Sequence, residues 1–204
     1  SGAGWAIAVL DTGIDKTHPF LAGKVVSEAC YSTNDSSENA TTVCPNGLEE
    51  QIGDGAGVNC LASGCDHGTH VAGIAAGNGP DFSGVARDAD LIAIQVFSRF
   101  EDNASHSLCR NSGLPSPCVL VYKRDYVRGL ERVYELGSSF DIAAVNISLG
   151  GGRYTDAATC EARNESAKRA VDNLRSIGIA TIAASGNKGS TNAIEAPGCI
   201  STVI

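Results

Sequence analysis

Four stretches of this 204-residue chain carry groups that could act on one bond. Residues 66–73 read Asp-His-Gly-Thr-His-Val-Ala-Gly, a histidine beside a glycine at what reads as the first turn of a helix. The apolar run Trp5–Leu10 leads straight into Asp11. An acid at a strand end and an imidazole at a helix start can meet across the top of a parallel sheet. There the carboxylate orients the ring, and the ring takes a proton from a nucleophile, as in acyl transfer. Asn187, in Ala184-Ser185-Gly186-Asn187, follows another apolar strand, so its amide can donate to an oxyanion. Ser148-Leu149-Gly150 leaves a third strand with small residues, an edge that an extended peptide could join as an added strand. No Gly-x-Ser-x-Gly turn accompanies them, so the nucleophile is missing from the set.

Each group has a plainer reading. Asp11-Thr12-Gly13 is a turn after a strand, or the Asp-Thr-Gly of an aspartic protease. The latter works as a pair of carboxylates in an all-β fold, whereas this chain has one such triplet and an α/β pattern. His67 and His70 share one side of a helix and could be buried and hydrogen-bonded. With Cys60 and Cys65 they also resemble a mixed zinc set, which a polar loop and six further cysteines disfavour. Asn187 between glycines is a turn residue by default. Lys188 does not follow a glycine at the spacing of a phosphate loop.

The elements that must position these groups alternate. Apolar runs too short for helices predict strands at 5–10, 89–96, 140–147 and 179–184, with a weaker one at 24–26 and a last one beginning at 199–204. Helices are predicted over His67–Gly77, over Val121–Leu136 with Val127, Leu130, Val133 and Tyr134 inward, and over Glu161–Ile177 with Ala167, Ala170, Val171 and Leu174 inward and Gly178 capping the end. Residues 31–64 and 101–118 read as polar loops. Alternating elements with continuously apolar strands predict a parallel sheet covered on both faces, with its site at the strand C-terminal ends. Asp11, Ser148 and Asn187 all fall at such ends.

Composition narrows the setting. A net charge of −8 with no basic stripe argues against a nucleic-acid partner. No signal peptide or long apolar run marks a membrane segment. The eight cysteines group as Cys30 with Cys44, Cys60 with Cys65, Cys109 with Cys118, then Cys160 and Cys199. Even pairing and an oxidising, secreted setting are expected; the connectivity stays open. Of five Asn-x-Ser/Thr sites (Asn34, Asn39, Asn103, Asn146, Asn164), Asn146 lies in the substrate edge and is expected to be unmodified.

Ala6-Ile7-Ala8-Val9-Leu10-Asp11-Thr12-Gly13-Ile14-Asp15, His67-Gly68-Thr69-His70-Val71-Ala72-Gly73, Asn146-Ile147-Ser148-Leu149-Gly150-Gly151 and Ala184-Ser185-Gly186-Asn187 together resemble the subtilisin-like serine proteases, in the family's order. The resemblance implies a three-layer α/β/α fold with a mainly parallel sheet, a secreted endopeptidase and a protein or peptide substrate. It implies Asp11 as the orienting acid, His67 as the general base, His70 as a structural position and Asn187 as the oxyanion donor. Ser148, Leu149 and Gly150 match the strand that binds substrate backbone beside the side-chain pocket, and Ala184, Ser185 and Gly186 match its other wall.

One block departs from the family. Its nucleophile sits in Gly-Thr-Ser-Met-Ala, and this sequence has no Met and no such block. The expectation is therefore an incomplete domain over 1–204, truncated on its C-terminal side. The serine would lie beyond Ile204, the chain alone would be inactive, and an apolar sheet edge would await the missing part. Two other readings are a non-catalytic peptide-binding relative and a zinc-binding domain. No cofactor is required. Many members that the resemblance points to carry a calcium-binding loop after this helix; here the loop is short and does not support that site, and Asp54, Asp81 and the turn near Pro197 stand only as candidate oxygen ligands for a structural calcium.

Overall fold

A computed structural model describes all residues from Ser1 to Ile204. Its frame is a six-stranded sheet in the order β10 (Ala180–Ala183), β8 (Ile142–Ile147), β1 (Ala6–Asp11), β5 (Asp90–Gln95), β2 (Val25–Tyr31), β4 (Glu50–Ile52). The first five are parallel and β4 is an antiparallel edge. Successive side chains of a strand point to opposite faces, and both faces of the central strands β1 and β5 are largely buried. Ala6, Ala8 and Leu10 of β1, with Ile92 and Ile94 of β5, enter the larger core beneath α3 (Lys123–Leu136) and α5 (Glu165–Ser176). Val9, Leu91 and Ala93 enter the smaller core beneath α1 (His67–Ala76). The predicted three-layer α/β/α arrangement is what forms.

The chain starts at β1, crosses to β2, steps back to β5 between them, and then passes to β8 and β10 on the other side of β1. The strand order reverses at β1, and the crevice beyond the carboxyl ends at such a reversal is where open α/β sheets bind ligands. Asp11 ends β1 at that point.

Some elements differ from the sequence reading. The weak strand at 24–26 extends to Tyr31, because it is paired along its length with β5. The predicted loop at 31–64 contains β3 (Ala40–Thr42) and β4. The loop at 101–118 lies between β6 (Phe97–Phe100) and β7 (Cys118–Val121), with a single turn α2 (Leu108–Asn111) inside it. β3, β6 and β7 form an antiparallel sheet of their own, from runs of three or four residues too short to show a period. The helix predicted over 161–177 is two, α4 (Ala157–Arg163) and α5. Asn164 leaves helical geometry between them (φ −128°, ψ 37°), and its buried Nδ2 donates to Cys160 C=O. Tyr134 is exposed rather than inward; Tyr126 and Leu136 take the inward positions. Residues 199–203 form turns instead of a strand. Only Ile204 reaches the sheet, where its N–H donates to Thr181 C=O and its C=O accepts from Ala183 N–H. Ile182 on that outer strand is exposed.

Gly178 does end α5. At φ +83° its N–H bonds Arg175 C=O while Ile179 N–H bonds Leu174 C=O, the paired bonds of a Schellman cap.

Candidate active site

β1 delivers Asp11 to the sheet edge fully buried. Its Oδ1 accepts from Thr12 N–H at 2.7 Å and from His67 Nδ1 at 2.8 Å. A carboxylate only accepts, so Nδ1 carries the proton and Nε2 is left as the acceptor on the open side. The imidazole is 49% exposed, so a reacting group can reach it. The hydrogen bond to Asp11 raises the His67 pKa above 6.5; burial opposes it, and the charges of Asp11 and Asp66 add to it. Asp11 Oδ2 is buried with no hydrogen-bond partner.

Backbone packing enforces this contact. A Cβ on Gly68 would stand 2.3 Å from Gly13 C=O and 3.0 Å from Asp11 Cβ, so only glycine lets the helix start approach the strand end. Thr12 ties the two together: its Oγ1 donates to Cys65 C=O and accepts Gly68 N–H, both at 3.0 Å. In the sequence, only its place between Asp11 and Gly13 marks Thr12 for this role. Along α1, Gly68, Ala72 and Ala76 form the buried stripe. His70 is exposed and beside a groove with Phe20, Ile74 and Phe82, away from Asp11.

On the other side of β1, β8 ends at Ile147 and the chain continues extended. No backbone N–H or C=O of Ser148, Leu149 or Gly150 bonds to another backbone group, which leaves the edge free to pair. Leu149 is buried, while Ser148 Oγ accepts from Asn146 Nδ2 at 2.9 Å, so Asn146 is engaged in the fold. Ala184 N–H donates to Ile147 C=O, which fixes residues 184–186 alongside this edge. Asn187 is exposed at the same end of the sheet, and its side chain bonds to nothing in the chain. The structure thus brings Asp11 and His67 into contact. It places the 148–150 and 184–187 segments on the same sheet edge, without direct bonds to that pair.

The eight cysteines close as Cys30–Cys44, Cys60–Cys65, Cys109–Cys118 and Cys160–Cys199. Cys60 and Cys65 therefore have no thiolates to offer zinc, which overturns the mixed Cys/His ligand set. No three His, Cys, Asp or Glu side chains converge as metal ligands. Asp54 is ion-paired to Lys16, and Asp81 is exposed.

The model of the subtilase family, Peptidase_S8, matches residues 2–204. The chain belongs to the subtilase family. This subtilase is 29% identical over 196 residues to the thermophilic serine proteinase of Bacillus sp. (strain AK1), covering 95% of this chain and 35% of that protein. It is 28% identical over 193 residues to thermitase of Thermoactinomyces vulgaris, covering 93% of this chain and 50% of that protein. The solved structure of sphericase superposes with a TM-score of 0.67 at 26% identity, over all of this chain and 53% of that one. The subtilase chain described here thus spans about half the length of these relatives, or less. Other matched relatives are named as extracellular and as intracellular proteases. No helix is long and apolar enough to cross a membrane.

Proposed function

We propose that this subtilase acts as a serine endopeptidase through an acyl-enzyme. The observation that carries the reading is the buried Asp11 carboxylate holding His67 Nδ1 at 2.8 Å beside an unpaired strand edge. Asp11 keeps the ring in the tautomer whose Nε2 accepts a proton, and stabilises the imidazolium that results. His67 takes the proton of the nucleophile and returns it to the leaving amine. Substrate backbone pairs with Ser148–Gly150, and residues 184–186 form the facing wall. Asn187, free of other bonds, donates to the oxyanion of the tetrahedral intermediate.

The nucleophilic serine lies outside residues 1–204 in this reading. The His67 ring hydrogen-bonds only Asp11, and the relatives are about twice as long or longer. The 204-residue chain alone is therefore inactive and is one part of a larger domain. Four disulfides support an oxidising, extracellular location.

The test compares a fluorophosphonate label and a chromogenic peptide on the full-length protein and on the 204-residue chain. Labelling and turnover are expected in the full-length protein only. Fluorophosphonate-sensitive turnover by residues 1–204 would remove the claim about the serine. No labelling of either would remove the enzyme and favour a peptide-binding relative.

A further inference from the structure

One carboxylate between the two walls of the proposed substrate site has no part in that reading. Glu195 is the middle residue of β11 (Ile194–Ala196), which pairs antiparallel with β9 (Gly151–Tyr154), and it is only 8% exposed. Its N–H donates to Ser185 C=O at 3.0 Å, which fixes it against the 184–186 wall. Its side chain lies between two glycines, one from each wall. A Cβ on Gly150 would stand 3.1 Å from Glu195 Oε2. A Cβ on Gly186, which holds φ +117°, would stand 2.6 Å from Cγ and 3.1 Å from Oε2. Glycine at both positions is what makes room for the carboxylate.

The group is poorly satisfied. Oε1 is buried and accepts no hydrogen bond. Lys188 Nζ approaches it to 3.5 Å, close enough to count as an ion pair but without hydrogen-bond geometry. The Lys188 side chain is 67% exposed, on a long flexible stem that can swing into solvent. A buried acceptor without a hydrogen bond is costly to keep and calls for a donor. Glu195 also lines a cleft of about 730 Å³, together with Ser185, Gly186 and Lys188.

We propose that Glu195 is the specificity-determining residue of this site, selecting a lysine or arginine side chain on the acyl side of the bond that is cut. The proposal rests on the reading of 148–150 and 184–186 as the substrate walls. An ammonium or guanidinium brings the missing donors and the opposite charge, with Lys188 displaced to solvent. An aliphatic or aromatic side chain covers the carboxylate and gives it nothing, and an acidic one repels it. The net charge of −8 adds a long-range pull on cationic peptides.

The experiment uses the full-length protein and fluorogenic peptides that differ only in the residue before the scissile bond: Arg, Lys, Leu, Phe or Glu. Cleavage after Arg and Lys is expected to exceed cleavage after Leu in kcat/KM by about 10- to 100-fold. Glu195→Gln is expected to remove that advantage, bringing the ratio of kcat/KM after Arg to that after Leu down by about tenfold or more. Binding of p-aminobenzamidine, read by fluorescence, needs no turnover and is expected to weaken about tenfold or more in Glu195→Gln. Equal cleavage after Leu and Arg by the unmodified protein overturns the proposal without any variant and leaves the protease reading intact. Probe binding that depends on Glu195, with no cleavage of any peptide, supports the carboxylate's role and removes the protease reading instead. Probe binding indifferent to Glu195→Gln also overturns the proposal.

Discussion

The Asp11–His67 corner and the segment from Ser185 to Asn192 occupy the same edge of the sheet, but they are held in opposite ways. At the corner the backbone determines the geometry. Gly13 sits at φ +89°, where a Cβ would stand 2.1 Å from Val58 C=O, and Gly68 is pressed against Gly13 itself. Thr12 bridges strand, turn and helix, and Asp15 N–H bonds Thr69 Oγ1 at 2.8 Å. Across the sheet, residues 187–192 are exposed, and their ties run through side chains: Arg153 to Asn192 Oδ1 and Lys188 to Glu195. Asp11 and His67 are thus held by backbone packing, while residues 187–192, the oxyanion side in the proposed function, are held through side chains. Damage at the corner should reach fold and chemistry together; damage in the segment should reach chemistry alone.

The largest expected effect is at the corner. Asp11→Asn in the full-length protein should lower kcat by about 10⁴, because the ring loses its tautomer and its counter-charge, as measured with a chromogenic peptide. The two disulfides beside the two regions should differ next. Opening Cys160–Cys199, with a sequence separation of 39, should destabilise by about 4 kcal/mol. Opening Cys60–Cys65, with a separation of 5, should destabilise by about 2 kcal/mol. Denaturant unfolding of the Cys→Ser pairs measures both, and a reversed order would mean that native contacts outweigh chain entropy. Asn187→Ala should cost about 10²–10³ in kcat with the melting temperature unchanged; a fall in melting temperature would erase the contrast between the regions. Gly68→Ala should do the reverse, costing about 1–3 kcal/mol of stability from overpacking as well as activity. The smallest effect is on pH. The neutral ring is the base, and hydrogen bonding to Asp11 raises the His67 pKa. The acid limb of kcat/KM should therefore have its midpoint above pH 6.5, with activity rising as pH increases through it. NMR titration of the imidazole in Asp11→Asn should show the midpoint moved down.

The corner was legible in the sequence and the segment only in part, for the same reason. Trp5–Leu10 running into Asp11, and His67-Gly68 opening a small-residue helix, are contiguous patterns with a local physical meaning. The strands at 89–96, 140–147 and 179–184 and the inward face Ala167, Ala170, Val171, Leu174 were readable likewise. The break at Asn164 was not, because it depends on a bond back to Cys160 rather than on periodicity. Tyr134 satisfied a helical spacing yet faces water, since a spacing names a stripe but not which flank of it meets the core. Glu195 stood unnoticed between Ile194 and Ala196.

By itself, the sequence determined the main strands of the sheet, which helix begins with His67, and the order of four motifs along a parallel α/β sheet. Period, chain punctuation and residue chemistry act within a few residues of one another. Only the tertiary structure decided that Cys160 closes onto Cys199, that Gly68 lets His67 reach Asp11, and that Glu195 lies between Gly150 and Gly186. Those are contacts between residues far apart in the chain, set by how sheet layers and crossovers close in space, and no local pattern encodes them.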